Sequence, residues 1–372
     1  MFSAAHRFLG IALLLMGAIH PAVSAEAART APSRPGTTAH AAATAPAPVA
    51  AAAVSKAGGP ALPGRKFGKI DYVKVADGAK QLGLKLTKYD RGRRVILLGP
   101  NVSAEIENDT RDITVNSMRV LLGDPTQDAG GEIYLSRVDY ERVLTPLVKP
   151  GFGPASRPLP GSKIVVLDPG HGGRDNGTSK NEKVYALDVA LRAKKLLDAA
   201  GYRTVLTRDD DTYLTLAERP AVAHARKADL FVSIHFNAVA NDKVTSGVEV
   251  YTFPPEGQRS TSSWSPSFSS DAEDDPAAVN RYDYWSSSLA HAIHRRFVGD
   301  LKTFDRGKKL KHLGVLRSLK CPGVLVECGF LTSEAEAKKI ATAAYRDKLA
   351  EMIVRGIRDY TATVEAVRKK SS

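Results

Sequence analysis

Cysteine is scarce: 372 residues hold two, Cys321 and Cys328. A disulfide-stapled scaffold is therefore excluded. The pair flanks the apolar run Val324-Leu325-Val326, and an extended strand rises about 3.3 Å per residue. That spacing carries the two sulfurs beyond bridging distance, so both are expected as buried free thiols. Apolar runs of membrane-spanning length are also missing. No Gly-x-Ser-x-Gly elbow occurs, which argues against a serine hydrolase of that type. The glycine-rich turn at 168–173 lacks the Gly-Lys-Ser/Thr ending of a phosphate loop, and Asp175 stands where a dinucleotide fingerprint needs glycine. Residues 66–148 contain neither histidine nor cysteine.

Acidic residues are outnumbered, 40 against 53 Lys and Arg, for a formal net charge of +13. Such a surface attracts polyanions. No nucleic-acid-binding motif accompanies the charge, so no nucleic-acid partner is expected. The first residues suggest which polyanion is meant. Arg7, the apolar stretch Leu9–Met16 and the small residues Val23-Ser24-Ala25 have the three parts of a secretory signal. The stretch is too short for a stable membrane span. Residues 1–25 therefore predict export to the periplasm or the medium, where envelope polymers and anionic lipid head groups await; an uncleaved anchor is the alternative.

Residues 26–63 are rich in Ala, Pro, Thr and Gly and predict a disordered linker. Residues 64–148 read as a small α+β accessory domain. A strand at 70–75 leads to a short helix ending near Gly83, and a hairpin turns at Asp90-Arg91-Gly92. Strands at 104–107, 113–122 and 132–135 precede a helix from Val138 to about Leu147. A Pro/Gly-rich second linker spans 149–161. From 162 to 362 strands and helices alternate, which predicts an α/β catalytic domain. Val184, Leu187 and Leu191 mark one expected apolar helix face, and Leu289, Ile293 and Phe297 another. Thr215–Glu218 and Ser333–Glu336 have capping-box form. Residues 254–284 break the rhythm and suggest a flap beside the site; 363–372 are a basic tail.

Four residues concentrate the chemistry. His171 follows the strand-like run 164–167, His235 follows 230–234, and Glu327 follows 324–326. Active sites in open α/β sheets gather beyond the carboxyl ends of strands. Glu182 opens the helix expected from about 183. Two His and a carboxylate form a common ligand set for catalytic zinc, and a further carboxylate suits a general base. Each also has a bland reading. A single His after a strand is more often structural. Glu182 fits the favourable first turn of a helix. Glu327 could form a buried ion pair with Arg317 or Arg306. Asp168 either orients His171 or caps the turn. His224, His291, His294 and His312 fall among charged residues and are expected in solvent.

A series of stretches bears on these readings. DPGHGG at 168–173, Glu182-Lys183, LTRDDD at 206–211, the run 214–238, GVEVY at 247–251, DRG at 305–307, VLR at 315–317 and PGVLVECGFLTSEAE at 322–336 occur in one order. Together they resemble the zinc-dependent N-acetylmuramoyl-L-alanine amidases of the amidase-3 class. The resemblance implies a twisted mixed sheet flanked by helices on both faces. It implies Zn2+ held by His171, Glu182 and His235, with Glu327 as the catalytic carboxylate; Arg317 is a further candidate, to stabilise the developing oxyanion. The reaction would be hydrolysis, by zinc-activated water, of the amide between the lactyl group of N-acetylmuramic acid and the L-alanine of the stem peptide. Peptidoglycan is then the partner, with room for a protein activator. A non-catalytic wall-binding protein on the same fold and a zinc peptidase of stem peptides are the alternatives. Residues 64–148 resemble, by element order and turns, the copper amine oxidase N-terminal-like domain, without residues to hold copper. A wall-association or spacing role and a stabilising appendage are both open for it.

Overall fold

The structure, a computed structural model, describes residues 60–178, 181–261 and 281–372. The signal sequence, nearly all of the first linker and the centre of the 254–284 insert lie outside these residues.

The N-terminal part opens with a hairpin of β1 (Gly64–Phe67) and β2 (Ile70–Lys74), followed by helix α1 (Val75–Leu82). Gly83 ends α1 at φ 73°, its N–H returning to the Lys80 carbonyl and that of Leu84 to Ala79. This is the left-handed stop that glycine makes at little cost. An antiparallel meander follows: β3 (Lys85–Tyr89), β4 (Arg94–Gly99), β5 (Val102–Glu107), β6 (Asp112–Val115) and β7 (Met118–Leu121). The single strand expected over 113–122 is thus two. Asn116 and Ser117 both take positive φ, 53° and 62°, the geometry of a tight hairpin turn. β8 (Gln127–Asp128) and β9 (Ile133–Ser136) complete a separate four-stranded sheet. A π-helical turn at Asp139–Leu144 runs into α2 (Thr145–Val148).

The C-terminal part follows the alternation read from the sequence. It comprises β10 (Ile164–Pro169), α3 (Glu182–Ala199), β11 (Arg203–Leu206), α4 (Glu218–Ala225), β12 (Leu230–Asn237), β13 (Val248–Thr252), α5 (Asp283–Gly299), β14 (Asp305–Leu310), α6 (Gly314–Arg317), β15 (Gly323–Phe330), α7 (Glu334–Ile340) and α8 (Ala343–Ser371). Strand order is β11-β10-β12-β15-β13-β14. The first four are parallel, and β13 is antiparallel to β15. Side chains alternate across a strand, so the sheet feeds two cores. Val165, Leu167, Val232, Ile234, Val324 and Val326 pack with α3, α5 and α8. Val166, Phe231 and Leu325 pack with Ala223 of α4 and Val315 and Leu316 of α6. The mixed sheet with helices on both faces is as expected.

The sheet does not stop at β14. Lys308 pairs with Val120 of β7, and the meander continues the same sheet to eleven strands. The segment 149–161 is pinned rather than slack. Gly151 N–H donates to the Tyr284 hydroxyl at 2.9 Å, and the buried Trp285 indole donates to the Ser156 carbonyl at 2.7 Å.

Other expectations change with packing. On α3 the buried stripe is Ala186, Val189, Ala190, Ala193 and Leu197, while Val184 and Leu191 are 53% and 42% exposed. Small residues let the helix lie close to the sheet, and the bulkier apolar ones are left outside. His291 and His294 are buried on α5 instead of solvated. The Thr215–Glu218 capping box forms, with Thr215 N–H donating to Glu218 and Glu218 N–H to Thr215 Oγ1. The Ser333–Glu336 box does not. Glu336 instead accepts from the N–H groups of Phe330 and Gly247, tying the ends of β15 and β13. The basic stretch after 362 continues α8 to Ser371, with Val364 buried.

Candidate active site

At the carboxyl end of β10 the chain turns through Gly170, whose N–H donates to the Ile234 carbonyl of β12 at 3.0 Å. His171 itself has φ 60°, a conformation rare outside glycine and typical of strained functional turns. Two buried arginines hold it there. Arg219 donates to the carbonyls of Pro169 and His171, each at 2.8 Å, and Arg208 to that of Gly170 at 2.6 Å. Asp168 accepts from Arg219, Thr207 Oγ1 and Ser233 Oγ. It shapes the turn and does not orient the His171 ring.

Three side chains converge beyond this turn. Glu182 Oε1 lies 3.0 Å from His171 Nε2 and 3.2 Å from His235 Nδ1. The ligand atoms of all three fall within 4.8 Å of one another. Glu182 is 1% exposed, and each oxygen is engaged: Oε2 accepts from Thr178 N–H and Oγ1 at 2.6 and 2.8 Å, Oε1 from Phe236 N–H at 3.2 Å. Burial pushes the Glu182 carboxyl up, but the two imidazoles outweigh it and hold it well below the usual range. Burial likewise lowers His171, and Glu182 and Asp175 more than reverse this. Asp175 Oδ2 lies 2.9 Å from His171 Nδ1. With Nδ1–H donating there, the Nε2 lone pair is free for a cation. Two glycines make the room. A side chain at Gly170 would collide with the His235 ring, and one at Gly177 with Glu182. Two imidazoles and a buried carboxylate, backed by a carboxylate behind one ring, fit a zinc ion.

The profile of the N-acetylmuramoyl-L-alanine amidase family, Amidase_3, matches residues 165–359. YqiI of Bacillus subtilis is 38% identical over 210 residues, covering 55% of this chain and 88% of its own. The N-acetylmuramoyl-L-alanine amidase AmiA of Escherichia coli is 31% identical over 229 residues, 56% of this chain and 79% of its own. LytC of B. subtilis, also an N-acetylmuramoyl-L-alanine amidase, is 37% identical over 202 residues, 53% of this chain but 35% of its own length. The chain belongs to the Amidase_3 family.

The amidase carries its fourth predicted residue on the same sheet face. In register, His235 of β12 stands beside Glu327 of β15, and Glu327 beside Glu249 of β13. Glu327 is half-buried, with Oε2 sealed from solvent and making no hydrogen bond. Burial, then the charges of Glu182 and Glu249, push it well above the usual carboxylate range. Arg306, one of the two cations that could have made it structural, donates to Glu249 at 2.8 Å instead. Arg317 ends α6 with its guanidinium 5.6 Å from the centre of the Phe253 ring.

Glu249, 3% exposed, was hidden from sequence reasoning, as were Asp175, Thr178 and Arg219. Glu249 also accepts from Lys309 at 2.6 Å, Tyr251 at 2.6 Å and Asn237 at 3.1 Å. Its place inside the strand run Val248–Thr252 was its one sequence mark, since a carboxylate there needs partners.

Proposed function

We propose that this amidase hydrolyses the bond between the lactyl group of N-acetylmuramic acid and the L-alanine of the stem peptide, with zinc held by His171, Glu182 and His235. The observation that carries the reading is one Glu182 oxygen shared between two imidazoles at 3.0 and 3.2 Å. A bound zinc ion supplies Lewis acidity and acidifies water at that point.

The chain's own residues supply the rest. Asp175 fixes the tautomer of His171, and Thr178 fixes the rotamer of Glu182. Glu327 takes a proton from the attacking water and passes it to the departing amine of L-alanine. Its raised proton affinity suits the second half of that transfer. Arg317, at the end of α6, is assigned to the developing oxyanion. Residues 1–25 direct export to the periplasm or the medium. Among the described residues no helix is long and apolar enough to cross a membrane.

Digestion of purified sacculi followed by mass spectrometry tests this. Intact stems beginning with L-alanine are expected. Cleavage within the stem would indicate a peptidase, and binding without release a non-catalytic wall protein.

A further inference from the structure

Most cations around the site are already spent. Lys309 lies 2.6 Å from Glu249, Arg306 donates to the same carboxylate, and Lys183 is 2.7 Å from Asp211. Lys311 differs. It is half-buried, and its ammonium stands 5.7 Å from the centre of the Tyr251 ring. No carboxylate among the described residues lies within ion-pair distance of it. Its charge is nevertheless felt by Glu327.

The sheet register explains this placement. His235, Glu327 and Glu249 form one row across β12, β15 and β13. Leu325, Tyr251 and Lys309 form the next row on the same face, and Lys311 follows Lys309 by two residues. Rows two residues apart are separated by about 7 Å. Two residues of extended peptide also span about 7 Å. Lys311 itself stands one row further on, about 14 Å from the row of Glu249, but its ammonium reaches back to 5.7 Å from the Tyr251 ring centre. A stem peptide that has its scissile amide between His235 and Glu327 and runs along β13 therefore brings its second residue to the Tyr251 ring and within reach of that ammonium.

The chemistry of the stem fits. L-Alanine brings no charge, because its amine is in the scissile bond and its carboxyl in the next amide. The first free carboxylate belongs to the second residue, an acidic residue joined through its side chain. We propose that Lys311 binds this carboxylate and makes the enzyme prefer stems in which it is not amidated. The inference rests on the amidase reading above. An ammonium held over an aromatic face and with no carboxylate of the described residues in ion-pair contact suits a charge-assisted bond to an incoming carboxylate.

The test compares two muramyl peptides that differ only in that carboxyl group, free or amidated, using the zinc-loaded full chain. The wild type is expected to favour the free form by about tenfold in kcat/KM, mainly through KM. Lys311→Met should bring the ratio near one, and Lys311→Arg should keep it. Equal preference in wild type and Lys311→Met, or none in the wild type, overturns the proposal. Calorimetric binding of both peptides to Glu327→Gln reads the same preference without turnover. Preferential binding with no turnover by the wild type would refute the amidase reading and leave Lys311 standing; turnover without preference would refute Lys311 alone.

Discussion

Two of the places where charge is buried are built in opposite ways. At the end of β10, Glu182 has each oxygen engaged, and its two imidazole partners face the same point. At the seam between β14 and β7, Lys308 is 0% exposed and its Nζ has no hydrogen-bond partner. Asp139 of the π-helical turn and Asp283 of α5 attract it, yet their oxygens are bonded elsewhere. Asp139 accepts from Gly123, Asp124 and Ser136, and Asp283 from Arg142. Nearby His291 leaves both ring nitrogens unpartnered, and burial pushes it down to about 3. Convergence on one point marks a ligand set. A lone ammonium between two already satisfied carboxylates marks a packing constraint, which fixes how the meander joins the sheet at some cost in stability.

Removing the proposed zinc should separate the two most sharply. Chelation is expected to abolish stem release while the far-ultraviolet dichroism stays native, because Thr178 and Phe236 still hold Glu182. Stability should fall by about 3–4 kcal/mol relative to zinc-saturated protein, and added zinc should restore both. Full activity after exhaustive chelation would remove zinc from the mechanism. Glu327→Gln comes next: a loss of about 10²–10⁴ in kcat, with zinc content unchanged by elemental analysis. A variant that also lost its zinc would make Glu327 a ligand and not a proton carrier.

What the sequence disclosed follows a physical boundary. His171, His235 and Glu327 were legible because each ends an apolar strand run, where side chains leave the core for the cleft. Glu182 was legible only beside the others, since a carboxylate opening a helix has an adequate local reason. Asp175 and Arg219 were not legible, because their partners are set by the fold: Arg219 reaches Asp168 across 51 residues. The joining of β7 to β14 rests on pairing between residues 120 and 308, which no local pattern encodes. The stripe on α3 was misread because alanines carry little hydrophobic signal yet pack closest.

Asp175→Asn sharpens the contrast from within the metal group. The amide keeps the shape beside His171 Nδ1 but weakens the acceptor and allows the other tautomer. Zinc affinity should fall by about 10–100-fold, measured by competition with a chromogenic chelator, with little change in kcat at saturating zinc. An unchanged affinity would mean that the turn gripped by Arg208 and Arg219 orients the ring without help.

Lys308→Met makes the converse change at the seam, replacing a charge by an apolar side chain of similar length. Burial pushes Lys308 down from 10.5 to about 8, against the pull of Asp139 and Asp283. Arg142 already neutralises Asp283, and His291 is neutral near pH 7. Between about pH 8 and 10.5 the unfolded chain therefore holds a proton that the fold has released, so stability rises with pH across that window and is lowest below it. The methionine variant should be more stable by about 1–2 kcal/mol at pH 7 and should lose that rise, as read from denaturant midpoints at pH 7 and 10. Stem release should be untouched, because the seam lies outside the row of His235, Glu327 and Glu249. A variant that is less stable at pH 7 would show that the attraction of Asp139 and Asp283 outweighs the desolvation of the ammonium, and the seam would then be a binding contact like the metal group.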